Sequence, residues 1–457
     1  MKKGRWGLTL YVLCVILLLA LAGAQLASFL DLWTHRGSSE IQDYSGGLTQ
    51  ETDQLAGILR PLRMYVSSGE TDGRCSLVSD RTGHYSALYK DSWQFLCSIL
   101  QNAADIKMIE SGEAAVNSAA CRYTYGLALT AEMLKDQTGW AFSSEFVFHE
   151  IVLAPAQNIK EKACLYLINE DTQKAMQVVS GEIQWQSEEN VRLRERMKTV
   201  CEALGENYLM TRQVFAGRFS RSLYLRDQNT PETIGYWSLR PALQEWSQEA
   251  CREEAGHFFE YPELIRSESY QPDAWIFTDD RCTVRIKQNG VIDYVKTPTA
   301  QEDAPLSAAG AYEIAWAFLQ EELSDSEQAP GTYLSEIAVT PTGYCFYFNY
   351  KMNDREVFPD ERLFSQEGMK AAVEIEIQNH EVYRYRRLKV VEEQNPYRMR
   401  ILTDSPVKAL DRMILADPEL NGLQWQDLRM IYRISGAEAE LDWQLEAEGK
   451  LYYEKVQ

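Results

Sequence analysis

The sequence is poor in the residues and motifs that carry catalysis. Only five histidines occur, His35, His84, His149, His257 and His380, far apart in a chain of 457 residues. No G-x-S-x-G elbow, H-E-x-x-H helix, P-loop or G-x-G-x-x-G turn is present, so the local signatures of hydrolases, zinc proteases and nucleotide-binding enzymes are missing. Nine cysteines stand singly, Cys14 near the start and then Cys75, Cys97, Cys121, Cys164, Cys201, Cys251, Cys282 and Cys345. Without a close pair they offer neither a CxxC zinc site nor a dense disulfide framework. They read as small buried thiols, with one or two bridges open to an exported chain. Adjacent carboxylates occur at Glu253-Glu254 and Asp279-Asp280, but neighbours on a strand point apart and make no acid/base couple. The expectation is a protein without catalytic residues, metal or cofactor, and not an enzyme.

Positive charge is also short. Lys and Arg number 46 against 67 Asp and Glu, a net charge of −21, which repels phosphate backbones and anionic headgroups and argues against nucleic acid or peripheral membrane binding. Low-complexity tracts are absent. With 45% hydrophobic residues, 25 tyrosines, 15 phenylalanines and 11 tryptophans, the chain can bury substantial cores.

What the sequence does have is one long apolar run. Residues 8–30, LTLYVLCVILLLALAGAQLASFL, carry no charge. As a helix rising about 1.5 Å per residue they reach about 34 Å, enough for a hydrocarbon core about 30 Å thick. Lys2, Lys3 and Arg5 precede the run and Asp31 follows it, so the positive-inside bias leaves the N-terminus in the cytoplasm and the rest extracellular. Ala20-Leu21-Ala22 and Ala22-Gly23-Ala24 offer the A-x-A arrangement of a cleaved signal peptide. The run continues past them to Leu30, longer than the usual h-region of about 7–15 residues, which favours an uncleaved single-pass anchor in the cell membrane. Ala20, Gly23, Ala24, Ala27 and Ser28 share one helical face at small-xxx-small spacing and form a candidate membrane-helix interface. The plain alternative is that Ala and Gly are common in spans.

Periodicity beyond the run predicts an α+β fold: one N-terminal transmembrane helix, then an ectodomain of about three mixed units, the last two each a helix plus antiparallel sheet. Residues 1–7 are the cytoplasmic N-terminus, 8–30 the span and 31–47 a linker. Residues 48–179 form an N-terminal α+β domain, 180–299 a central domain and 300–457 a C-terminal domain. Tyr85, Leu88, Trp93, Leu96 and Leu100 mark a helix over 85–99. Leu193, Met197, Val200 and Leu204 mark a second, after Ser187-Glu188-Glu189 and before Gly205. Tyr312, Ala315, Trp316, Leu319 and Leu323 mark a third over 308–323. Asn289-Gly290 between two strand-like runs is a hairpin signal. Residues 344–348, YCFYF, read as a buried strand, and the alternation of 372–377, AVEIEI, describes a sheet with one wet face.

Several stretches carry a family resemblance. Leu32-Trp33-Thr34 is similar to a Trp-Thr-Tyr membrane exit, and Arg60-Pro61-Leu62-Arg63-Met64-Tyr65 to a first strand entry. Phe258-Phe259-Glu260-Tyr261-Pro262, Ile276-Phe277-Thr278-Asp279-Asp280 and Val291-Ile292-Asp293-Tyr294 follow in the order of an FFxD-like turn, a YTDG-like hairpin and an LEY-like strand. The helix AYEIAWAFL at 311–319 resembles the opening of a last domain. In these stretches the chain resembles the YycH family, single-span extracytoplasmic regulators of the essential cell-envelope sensor histidine kinase of low-GC Gram-positive bacteria, acting beside a sister protein, YycI. The resemblance implies a mixed α+β ectodomain, no cofactor, and a regulator that modulates a two-component sensor kinase controlling cell-wall metabolism by contact. The partners implied are the membrane sensor histidine kinase and a YycI-like sister regulator. The rival readings are an anchored PepSY-type spore germination or protease-inhibitor protein and an anchored cell-wall-processing enzyme.

Overall fold

The computed structural model describes residues 57–456 apart from 70–72, 81, 111–118, 143, 211–214, 216–217, 222–223, 228–231, 242–246, 272, 298–305, 325–329, 359–360, 403 and 436–437. Helix α1, Gly83–Gln101, forms where Tyr85, Leu88, Tyr89, Ser92, Phe95, Leu96 and Ile99 recur at three- and four-residue spacing and turn one face inward. Helix α2, Ala131–Thr138, starts at Thr130, whose hydroxyl accepts from the Met133 N–H at 3.3 Å, and stops at Gly139, φ 69°. Helix α3 is Glu188–Leu204, with Leu193, Met197, Val200 and Cys201 buried. The later helices are α4 (Gln248–Gly256), α5 (Ala308–Ser324), α6 (Glu361–Glu367) and α7 (Pro406–Ala416).

Among the described residues the strands fall into three sheets. In the first, β1 (Arg63–Ser67), β2 (Arg74–Val78), β3 (Ala103–Ile109), β4 (Ala120–Thr130), β5 (Val147–Ala154), β6 (Cys164–Ile168), β7 (Ala175–Ser180), β8 (Tyr208–Met210) and β9 (Tyr224–Arg226) lie in the order β3-β7-β6-β5-β4-β1-β2-β8-β9. A two-stranded ribbon pairs β10 (Glu232–Pro241) with β20 (Val390–Leu402). The remaining strands are β11 (Arg266–Gln271), β12 (Ala274–Thr278), β13 (Cys282–Lys287), β14 (Val291–Lys296), β15 (Gly331–Thr340), β16 (Gly343–Met352), β17 (Arg355–Phe358), β18 (Val373–Gln378), β19 (Glu381–Leu388), β21 (Trp425–Ser435), β22 (Glu438–Ala447) and β23 (Lys450–Lys455). They make one twelve-stranded sheet ordered β11-β12-β13-β14-β19-β18-β16-β17-β21-β22-β23, with β15 on β16. The β13–β14 hairpin turns at Gly290, φ 88°, where Asn289 supplies the preceding turn residue.

This architecture corrects the expected fold class of an N-terminal transmembrane helix followed by about three mixed units, two of them a helix plus antiparallel sheet. The later strands do not divide into separate small sheets. Val291–Val295 on β14 pair antiparallel with Leu388–Arg384 on β19 and fuse them into one sheet, while β8 joins the first sheet by pairing with β2. The fold is mixed α+β on two large sheets, within one compact unit, Gln50–Gln457. Hairpin and helix signals are local, whereas these pairings link strands far apart in sequence, which local periodicity does not encode.

Among the described residues no helix is long and apolar enough to cross a membrane. Helix α1, for example, carries Lys90, Asp91 and Gln94 on the side opposite its apolar face. Residues 8–30 lie outside the described residues, and so do Ala20, Gly23, Ala24, Ala27 and Ser28 of the candidate membrane-helix face. All eight cysteines after Cys14 are free thiols; Cys75, Cys121, Cys201, Cys251, Cys282 and Cys345 are buried and Cys97 and Cys164 half-buried.

Candidate functional site: a charged cleft between the two sheets

Strand alternation gives the first sheet two unlike faces. On β4, Cys121 and Tyr123 turn toward α1: the Tyr123 hydroxyl hydrogen-bonds Ser92 Oγ at 2.5 Å, and its ring lies 5.7 Å from that of Tyr89. The intervening Arg122 points the other way. Register places Arg122 opposite Tyr65 of β1 and Val152 of β5, with Glu150 two residues before Val152. Arg122 Nη1 donates to Glu150 Oε1 at 3.4 Å, and the Tyr224 hydroxyl donates to the same oxygen at 2.8 Å. Tyr65 stacks on Tyr224 at 4.3 Å between ring centroids and meets Tyr208 edge-on at 5.8 Å.

The twelve-stranded sheet answers this face with charge. Glu356 of β17, 2% exposed, is clamped by an arginine from each sheet. Arg63 Nη2 donates to its Oε2 at 3.0 Å and Arg429 Nη1 to its Oε1 at 2.7 Å, and the Tyr333 hydroxyl adds a third donor at 3.1 Å. Burial pushes the Glu356 carboxyl up, but Arg429, Arg63 and Tyr333 outweigh it and hold it below the usual carboxylate range. Arg429 also reaches Asp427 at 3.3 Å and Gln444 at 2.9 Å. Beyond the clamp, Arg74 meets Asp227 at 2.5 Å, and Lys351 of β16 pairs with Asp80, which lies between β2 and α1. Asp404 accepts Arg412 through both oxygens, at 3.0 and 2.6 Å, and Trp443 Nε1 at 3.1 Å.

Close approach of the sheets depends on Gly126 of β4. A Cβ there would sit 3.1 Å from the Tyr333 ring and 3.4 Å from the Leu334 carbonyl, so a side chain would require the Tyr333 ring to give way by a few tenths of an ångström.

Between these contacts lies a cleft of about 330 Å³. Arg63, Tyr65, Tyr208, Arg221 and Tyr224 line it from one side and Asp354, Asp404, Asp427, Arg429 and Trp443 from the other. Glu170 lines it too. Burial, then the neighbouring Glu150, push the Glu170 carboxyl up to about 8 against the pull of Arg221, and Asp427 and Asp171 add to the push. Close by, His149 Nε2 stands 3.5 Å from Asp171, which also receives Arg221 at 3.0 Å. Burial lowers the His149 value, with Asp171 opposing. Among the described residues no group of three His, Cys, Asp or Glu side chains could hold a metal ion.

The residues singled out in the sequence fall elsewhere. Asp279 caps a turn, accepting from the Arg281 and Cys282 N–H groups at 2.7 and 2.6 Å, and Glu254 pairs with Lys389. The clamp and its neighbours escaped sequence reasoning, although a signal existed. Arg122 and Glu150 are charged residues at buried positions of the largely apolar runs ACRYTYG and FHEIVLA, and Glu356 is a buried charge directly before Val357-Phe358, where a charge needs a buried partner.

No family model matches the chain, and no curated protein matches it. Among solved structures, an uncharacterized protein from Eubacterium rectale ATCC 33656 covers 51% of this chain and 83% of that one at a TM-score of 0.33 and 9% identity, a likeness too slight to carry an argument. YycH from Bacillus subtilis is similar at a TM-score of 0.54 and 14% identity, covering 87% of this chain and 96% of that one. The described part of this chain has a YycH-like fold.

Proposed function

We propose that this protein works outside the cytoplasm as a non-catalytic regulator of a membrane sensor histidine kinase that governs cell-wall metabolism, beside a YycI-like sister protein. The observation that carries the reading is the YycH-like fold, which extends over 96% of the neighbour's length. The order of the stretches from Arg60-Pro61 to the 311–319 helix, similar to that of the YycH family, supports it independently. Export is supported by the uncharged run at 8–30 behind Lys2, Lys3 and Arg5. Such a regulator acts by binding one state of the kinase better than the other, and it shifts the signalling equilibrium by that difference alone.

The test is deletion of the gene in its host, with transcription of kinase-dependent wall genes as readout, together with co-purification of the tagged full-length chain and the kinase. The reading expects altered transcription and recovery of the kinase. Unchanged transcription and no association would overturn it. So would hydrolysis of peptidoglycan by the purified protein that a single carboxylate substitution abolishes.

A further inference from the structure

We propose that the cleft between the two sheets binds a small organic cation, with Glu170 as its counter-ion and the rings of Tyr65, Tyr208 and Tyr224 as its wall. The cleft, at about 330 Å³, falls at the lower end of pockets that enclose small molecules, about 300–1,000 Å³.

The sign of the ligand follows from which lining charges are already engaged. Arg63 and Arg429 hold Glu356, Arg221 holds Asp171, Arg355 donates to the Asn353 carbonyl at 3.1 Å, and Arg226, the fifth arginine of the lining, is engaged as well. Asp227 receives Arg74, Asp404 receives Arg412, Asp427 receives Arg429, and Asp354 bonds the Ser79 side chain. Glu170 differs. Its main chain bonds His149 and Gln173, but among the described residues its carboxylate has no hydrogen bond and no ion pair. The groups around it are His149 and Glu150 from β5, Asp171 beside it, Arg221 from the segment before β9 and Asp427 from β21. Negative charge predominates there, so an anion is repelled and a cation supplies the missing partner. The stacked Tyr65 and Tyr224, with Tyr208 edge-on, present aromatic surface in the same cleft, and ring faces attract cations. Because burial holds Glu170 protonated up to about pH 8, a cation must displace that proton, and its affinity rises with pH. The proposal goes beyond the kinase-regulator reading and stands or falls separately from it.

The experiment is calorimetric titration of the purified full-length chain with choline and with cadaverine, against the uncharged isosteres 3,3-dimethyl-1-butanol and 1,5-pentanediol, at pH 6 and pH 9. At least one cation is expected to saturate the protein at pH 9, about tenfold or more tighter than its isostere and tighter than at pH 6. Glu170→Gln removes the charge while keeping the shape, and is expected to abolish that preference while circular dichroism stays unchanged. Equal binding of cation and isostere overturns the proposal, as does an unaltered preference in Glu170→Gln. Absence of saturable binding by both cations also overturns it, and the native comparison decides even if the variant misfolds.

Discussion

The two faces of the first sheet are built from the same strands, yet one is closed by apolar packing and the other sets an apolar cluster of Ala120, Val152, Ala154, Tyr166, Ile168 and Ala175 beside buried charge. On the helix-covered face Met64, Cys121, Tyr123, Ile151 and Leu153 are buried side by side. That face gains from every apolar area withdrawn from water. On the other face Arg122 and Glu150 are 2% and 1% exposed. Each charge there costs desolvation, which its partners offset only in good geometry. The dry, helix-covered face therefore holds by packing, and the charged face adds to its own apolar cluster a constraint on which strand lies against which.

The comparison breaks most visibly at Glu356. Glu356→Ala leaves the half-buried Arg63 and Arg429 without their shared anion and is expected to cost about 3 kcal/mol, the lower end for breaking a buried pair, in denaturant unfolding. The triple change Arg63→Met, Glu356→Leu, Arg429→Met removes all three charges and should recover most of that loss. A triple variant as unstable as Glu356→Ala would show that the clamp contributes net stability.

On the dry face, Leu153→Ala should cost about 2–5 kcal/mol through lost transfer energy and a cavity. Its cost should be independent of pH from 5 to 9. A strong pH dependence would mean that the two faces are coupled.

The smallest effect is expected at Glu170 and runs in the opposite direction. Its folded value lies above the ordinary carboxylate value, moved from 4.5 to about 8, so between those limits the folded state holds the proton that the unfolded chain releases. Stability then falls as pH rises through that window. Glu170→Gln should match the native protein at pH 4 and exceed it at pH 9 by about 1–3 kcal/mol. A variant less stable than native at pH 9 would contradict the position assigned to this carboxylate.

Much of the local structure was legible in the sequence and little of the assembly was. The periodic apolar positions marked α1, α3 and α5, because a helix face repeats within four residues. Asn289-Gly290 marked its hairpin for the same local reason. The cleft joins Arg63 to Glu356 across 293 positions and Tyr224 to Glu150 across 74. No spacing rule links residues so distant, and the one available sign was a charge standing where the strand pattern called for an apolar side chain. The fusion of the later strands into one sheet was illegible for the same reason.

The junction of β17 with β21 gives the clamp a mechanical meaning. Among the described residues the two strands run parallel and pair through Val357 with Tyr432 and Phe358 with Arg433. On one side of this junction the twelve-stranded sheet runs from β11 to β17, and on the other from β21 to β23. Glu356 stands immediately before the paired residues on β17, and Arg429 lies three residues before Tyr432 on β21. Beside this short parallel ladder an ion pair joins the same two strands, and Arg63 of the other sheet grips the same carboxylate. Tension across this rung is shared between main-chain bonds and one buried anion. Being shielded from solvent, that rivet is little weakened by salt.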